Sequence, residues 1–340
     1  MKNVYIITGA NGFLGNNVIR TLLQKDPAAE IRALVLEGDK PISLNGVDCK
    51  IFYGDVTNKE SLKDIFDVNH EDKVCVIHCA SYVYIKAKKN PNVKSVNVGG
   101  IKVIVDEVLR INAKLVYVSS VHAIPELDED KEMTEVTAFN PDSVHGIYAK
   151  TKAEATEYVL QAVKNKGLNA CVVHPSGIIG PNDFGKTHLT QMISEFANGH
   201  LNACVKGKYD FVDVRDVANG VIAAIEKGKK GECYILSNKQ IYIRDILDIV
   251  ADVLGVKKIK TMVPIWLAKI GAPICEAYYN MKNKTPLFTS YSLYTVTSNS
   301  NFSHKKADEE LGYTNRNFND TIKDTVEFLV AQGRINKAKK

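Results

Sequence analysis

Apolar and β-branched residues cluster in short runs through the first half of the chain, separated by longer stretches with helical spacing. Val4-Tyr5-Ile6-Ile7, Ile31 to Leu36, Cys49 to Tyr53, Val74 to Cys79, Lys114 to Ser119 and Ala170 to His174 are expected as strands. Phe13 to Lys25, Ser61 to Phe66, Asn97 to Arg110 and Tyr148 to Lys166 are expected as helices. Runs such as Val74-Cys75-Val76-Ile77 lack polar alternation, which predicts strands covered on both faces. Strand–helix repetition of this kind makes a parallel, doubly wound sheet with right-handed crossovers. The alternation loosens after about residue 175. The expected division is therefore a sheet domain over 1–175 and a smaller, mostly helical C-terminal substrate region over 176–340. Within the latter, 206–236 is expected to return to the main sheet, through Asp210 to Val214 with its following helix and through Cys233 to Leu236.

Composition narrows the class without changing that picture. Among the 340 residues 45% are hydrophobic and 24% charged, which excludes a disordered chain, a collagen and a small disulfide scaffold. A net charge of +5, part of it in the tail Lys337 to Lys340, is too mild to imply a nucleic-acid partner. The seven cysteines form no C-x-x-C pair, and Cys75, Cys79, Cys171 and Cys233 sit in apolar runs as small hydrophobes. The N-terminus runs directly into a strand instead of a cleavable signal, so a reducing, cytoplasmic setting is expected. No membrane span is expected. The most apolar stretch, Met262 to Tyr279, is interrupted by Lys269 and two prolines. It reads as a helix or helix pair of the substrate region, because a membrane-surface helix would carry a strongly basic polar face.

Residues 8 to 15 read Thr-Gly-Ala-Asn-Gly-Phe-Leu-Gly, between the first strand and an amphipathic helix. Gly9 permits the tight turn, Gly12 lets backbone amides approach a diphosphate, and Gly15 lets the helix pack close to the sheet. The helix N-terminus then offers free N–H groups to the anion. Tyr148 and Lys152 stand one helical turn apart on one face. Ser119 and Ser120 end the fifth strand, at the carboxyl edge where open α/β sheets bind ligands.

These motifs together resemble the extended short-chain dehydrogenase/reductase family, within the NAD-dependent epimerase/dehydratase superfamily. Gly54-Asp55-Val56-Thr57, His78-Cys79-Ala80-Ser81, Asn97-Val98-Gly99-Gly100 and Phe211 to Ala218 fall at further family landmarks. The resemblance implies a Rossmann-type fold and a bound NAD or NADP. It implies a catalytic set of Ser120, Tyr148 and Lys152, in which Ser120 holds the substrate oxygen and Tyr148 moves a proton. Lys152 then binds the nicotinamide ribose and lowers the Tyr148 pKa. Cofactor contacts are implied at Gly9, Asn11, Gly12, Phe13, Leu14, Gly15, Leu36, Glu37, Asp55, Val56, Cys79, Ala80, Ser81, Asn97, Ser119, Tyr148, Lys152, Pro175, Gly177 and Ile178. Substrate contacts are expected at Tyr82, His122 and Asn182, with His122 either facing the substrate or packing structurally. No metal is expected.

At the end of the second strand Leu36 stands where NADP-dependent relatives carry Arg, and Glu37 follows it; NAD is favoured, with Lys40 near enough to oppose this. Val121-His122 replaces the Asp-Glu of family dehydratases, Gly177 an Asn and Tyr209 an Arg that grip nucleotide diphosphates. The chain therefore looks closest to the dihydroflavonol-reductase and 3β-hydroxysteroid-dehydrogenase branch, which acts on carbonyls and secondary alcohols of hydrophobic molecules. Trp266, Tyr278, Tyr279, Phe288 and Tyr291 either line an apolar pocket or pack the small region. A nucleotide-sugar epimerase and a non-catalytic dinucleotide-binding regulator are the alternatives. Family analogy implies a homodimer through the helices Asn97 to Arg110 and Tyr148 to Lys166.

Overall fold

The computed structural model describes residues 2–84, 90–129, 131–281 and 289–336. The side chains of Tyr278 and Tyr279, together with Phe288 and the tail 337–340, lie outside what is described. The first half runs β1 (Asn3–Thr8), α1 (Phe13–Lys25), β2 (Glu30–Val35), β3 (Lys50–Tyr53), β4 (Lys73–His78), α2 (Pro91–Lys94), α3 (Ile101–Arg110), β5 (Lys114–Val118), α4 (Ile147–Lys166) and β6 (Asn169–Pro175). The second half runs β7 (Gly177–Ile179), α5 (His188–Ala197), β8 (Ala203–Val205), β9 (Lys208–Asp213), α6 (Val214–Lys227), β10 (Cys233–Leu236), β11 (Lys239–Tyr242) and α7 (Ile243–Leu254). It closes with β12 (Thr261–Val263), α8 (Ile265–Met281), α9 (Ser290–Thr295), α10 (Lys305–Leu311) and α11 (Phe318–Ala331).

Among the described residues the main sheet has seven strands in the order β10-β6-β5-β4-β1-β2-β3. Every neighbouring pair is parallel. Alternate residues of one strand therefore feed opposite layers. Ile6, Val76 and Leu115 face α3 and α4, whereas Ile7, Ile77 and Val116 face α1 and α6. The chain direction across the sheet reverses between β1 and β4, which opens the ligand crevice of a doubly wound fold above their carboxyl ends.

Three expectations are corrected. Cys233–Leu236 joins the main sheet beside β6, but Lys208–Asp213 does not: β9 lies between β11 and β7 in a separate three-stranded sheet. The edge of β6 is already taken by β10, and β7 breaks away at Ser176 to offer β9 another partner. The helix expected over Ser61 to Phe66 is only a 3-10 turn over Lys59–Leu62. The helix expected from Asn97 begins earlier, at Pro91, and passes through a π turn over Ser95–Gly100 before α3. Gly100 sits in that turn with Val56 so close that a Cβ would lie 2.7 Å from Val56 Cγ2.

Candidate active site

The glycine loop has the geometry a diphosphate needs. Gly9 has φ +66°, and a Cβ there would stand 2.7 Å from the Ala80 nitrogen. Only glycine combines that conformation with contact against the end of β4. A Cβ on Gly15 would fall 2.2 Å from the Gly9 carbonyl oxygen, so the third glycine is what lets α1 start against the loop. Gly12 caps α1 with no side-chain bond to the first turn, which carries no acidic residue. The amides and the positive helix end are thus left to a ligand. Asn11 secures the loop from the side: its Nδ2 donates to the Lys40 carbonyl at 3.0 Å and its Oδ1 accepts from Ser43 Oγ at 2.8 Å. Leu36 is exposed at the end of β2, with Glu37 and Lys40 exposed after it. Asp55 folds its Oδ1 onto the Thr57 amide and hydroxyl, both at 2.8 Å. These residues fit a bound dinucleotide.

Across the crevice, β5 ends in Ser119 and Ser120, whose side chains diverge. Ser119 Oγ bonds Thr156 Oγ1 on α4 at 2.7 Å in the buried interior, so its side chain braces the helix. Ser120 Oγ accepts from the His122 amide at 3.2 Å and caps a 3-10 turn over Val121–Ala123. The Ser120 and Ser81 hydroxyls are the polar groups that act on the Tyr148 phenol. Burial pushes Tyr148 up to about 12, and these hydroxyls oppose it. Lys152 donates from Nζ to the Val118 carbonyl at 2.9 Å and lies over the Tyr117 ring. Burial pulls it down to about 7. What opposes burial at Tyr148 is the Ser120 and Ser81 hydroxyls rather than the Lys152 expected there.

Asn97, expected at the cofactor, spends its amide on protein. Its Oδ1 accepts from the Tyr82 amide at 2.7 Å and Ser81 Oγ at 3.1 Å, and its Nδ2 donates to Thr151 Oγ1 at 3.0 Å. It clamps the strand-four loop to α4, and so sets Ser81 against Tyr148. Val56 is likewise buried in the core layer.

An apolar cavity of about 280 Å³ adjoins these groups, with Leu189, Met192, Val205, Phe211, Leu293 and Val296 among its lining. His122, Tyr291, Gly177 and Ile178 also line it, so the last two, expected at the cofactor, face this cavity. His122 stands edge-on to Tyr148, with ring centres 6.1 Å apart, and its Nε2 is 3.2 Å from the Tyr209 hydroxyl. Burial holds it near 4, hence neutral. Tyr209, singled out in the sequence only for replacing an Arg, is thus a hydrogen-bond partner of His122, with the Tyr291 hydroxyl 3.5 Å from the ring's Nδ1. Tyr82 is exposed, stacks on Tyr84 and precedes the cavity residue Val83. Asn182 does not line the cavity: it sits at φ +67° with Nδ2 donating to Asn17 Oδ1 at 3.1 Å, tying its loop to α1.

The family model for the NAD dependent epimerase/dehydratase family matches residues 5–237. The chain belongs to that family. It is an NAD(P)-dependent enzyme by that membership. It is 28% identical to sterol demethylase protein B of Methylococcus capsulatus (strain ATCC 33009 / NCIMB 11132 / Bath), over 97% of this chain and 99% of that protein. It is 27% identical to the 3 beta-hydroxysteroid dehydrogenase/Delta 5-->4-isomerase of Vaccinia virus (strain Copenhagen), over 70% of this chain and 67% of that one. The crystal structure of gox2253 superposes with a TM-score of 0.83 at 28% identity, covering 98% of this chain and 99% of that chain.

Proposed function

We propose that the protein interconverts a carbonyl and a secondary alcohol on a small hydrophobic substrate, using NAD(P) and Tyr148 as the acid and base. The observation that carries this reading is the buried Tyr148, in ring contact with His122, which walls the apolar cavity, with the Ser120 and Ser81 hydroxyls holding its pKa down against burial. The dinucleotide, when bound, supplies or accepts the hydride. Tyr148 keeps its proton at neutral pH, so it is the acid that a carbonyl oxygen requires as negative charge builds on it. Ser120 stands beside it to donate a second hydrogen bond to that oxygen. Oxidation of an alcohol runs the same path backwards, with Tyr148 taking the proton. Lys152, one turn along α4, is the residue that would hold the nicotinamide ribose. Neutral His122 and Tyr209 orient the substrate end that enters the cavity.

The apolar lining supports a hydrophobic skeleton over a sugar nucleotide, which needs cationic or amide grips on its diphosphate. The names of the sterol and steroid relatives point the same way. NAD is favoured over NADP by Glu37 after β2 and by the absence of Arg at Leu36. Pairing of two copies through α3 and α4 belongs to this reading, and a clean monomer on sizing removes it. The central test is turnover of a panel of apolar ketones and alcohols. Tyr148→Phe should lose roughly two to four orders of magnitude in rate while still binding the dinucleotide. Wild-type turnover by that variant, or thermal stabilisation by nucleotide sugars alone, overturns the proposal.

A further inference from the structure

Helix α8 carries apolar side chains on two opposite faces. Inward, Ile265, Ala268 and Ala272 pack with Val205, Leu293 and Val296. Outward, Trp266, Leu267 and Ile270 are 65%, 47% and 61% exposed. Their spacing of one and four residues puts them on one side of the helix. Isolated exposed apolar residues are ordinary, but a contiguous group marks a surface that something covers.

Three exposed lysines lie on α8 or on the segments joined to it. Lys269 is exposed on α8 itself. Lys206 is exposed and lies level with Pro264 at the start of α8, because β8 and β12 pair Val205 with Val263. Lys260, also exposed, opens the strand that feeds the helix. Among the described residues none of these three makes an ion pair. The nearby carboxylates of Asp248 and Asp252 are engaged by Arg244 and Lys258, which leaves Asp245 as the acid beside Lys206.

We propose that this face docks on an anionic lipid bilayer, with α8 lying in the headgroup plane. The basic face that α8 lacks in its own sequence, on which ground a surface helix is not expected from the sequence, is supplied by Lys206 and Lys260 from neighbouring segments. Among the described residues no helix is long and apolar enough to cross a membrane, so the contact is a surface one. An indole sits well where an apolar layer meets a polar one, and each nearby lysine adds attraction to anionic headgroups. A second copy fits less well. A two-fold interface sets a patch against itself and would bring these lysines toward their own counterparts. The inner face of α8 packs on Val205, Leu293 and Val296, which line the apolar cavity, so a docked helix brings the bilayer within one helix of that cavity. This last link rests on the proposed function; the docking does not.

Trp266 is the chain's one tryptophan, so its fluorescence reports the patch directly. Full-length protein should co-sediment with vesicles of phosphatidylcholine and phosphatidylglycerol, its emission shifting to the blue. Binding should weaken with added salt and fall steeply on pure phosphatidylcholine. The combined change Lys206→Glu, Lys260→Glu and Lys269→Glu should weaken binding by at least ~tenfold. Ile270→Ser should weaken binding and the blue shift on both vesicle types while leaving the thermal midpoint unchanged, since the side chain is already exposed. Absence of sedimentation and blue shift with anionic vesicles overturns the proposal. So does a concentration-dependent dimer that Ile270→Ser abolishes, which would assign the patch to a second copy. Both measurements read binding without turnover, so their failure is separate from failure of the dehydrogenase reading.

Discussion

Lys152 is buried with a backbone carbonyl as its hydrogen-bond partner and with its pKa lowered to about 7 by desolvation. Below that value the folded protein must hold a charged amine in the interior, while the unfolded chain solvates it freely. The full cost applies below about pH 7. It shrinks as pH rises toward the ordinary lysine value of 10.5, where the unfolded chain also loses the proton. Lys152→Met should therefore melt higher than wild type at neutral and acidic pH, with the gap closing in alkali. Turnover should nevertheless fall by roughly two orders of magnitude or more. Melting curves across the pH range check the first claim. A constant gap at every pH would mean that packing, rather than charge, is responsible. Tyr148 is the opposite case, since burial keeps it protonated and its loss touches catalysis first.

At the scale of elements, the glycine loop and the π turn do the positioning. Gly15→Ala drives a methyl group into the Gly9 carbonyl, and α1 can relieve it only by moving off the loop. Overpacking of this kind costs about 1–3 kcal/mol, and dinucleotide affinity should fall with it. Thermal melting and NADH titration of the variant read the two effects separately. Asn97→Leu removes the clamp among Ser81, Tyr82 and Thr151, leaving the Tyr82 amide without its acceptor while the Thr151 hydroxyl still donates to the Tyr148 carbonyl. We expect lower kcat with little change in NADH affinity, because what is lost is the seating of Ser81 against Tyr148. Restoring activity with Asn97→Gln would instead indicate a tolerant loop.

For the whole molecule, the consequence is a cavity built where the small sheet, α5 and α9 close over the end of β5. Met192 on α5 lines it, and no residue of the glycine loop does. Met192→Trp should raise KM by about tenfold or more for bulky apolar substrates and leave small ones and NADH binding nearly unaffected. A steady-state comparison of short and long ketones checks this. NADH should bind the protein more tightly than NADPH, as direct titration with each will read.

The main sheet was legible because each strand's pattern is local: a continuous apolar run needs cover on both faces, and glycines at 9, 12 and 15 admit few other uses. The Tyr148 and Lys152 pair was legible for the same reason, being one turn of one helix. Chain path decided the rest. Ser119 and Ser120 are adjacent and chemically alike, yet β5 turns one toward Thr156 and the other toward Tyr148. Asn97 looked like a ligand-binding residue until the fold brought Thr151 to it from 54 positions away. His122 gained Tyr209 as a partner across 87 positions, and α8 gained neighbouring lysines from β8 and the segment before β12. Periodicity records which faces of an element meet water or core. Which distant side chains converge depends on crossovers and sheet partners, and those are settled only when competing strand edges are filled, as β6 is by β10.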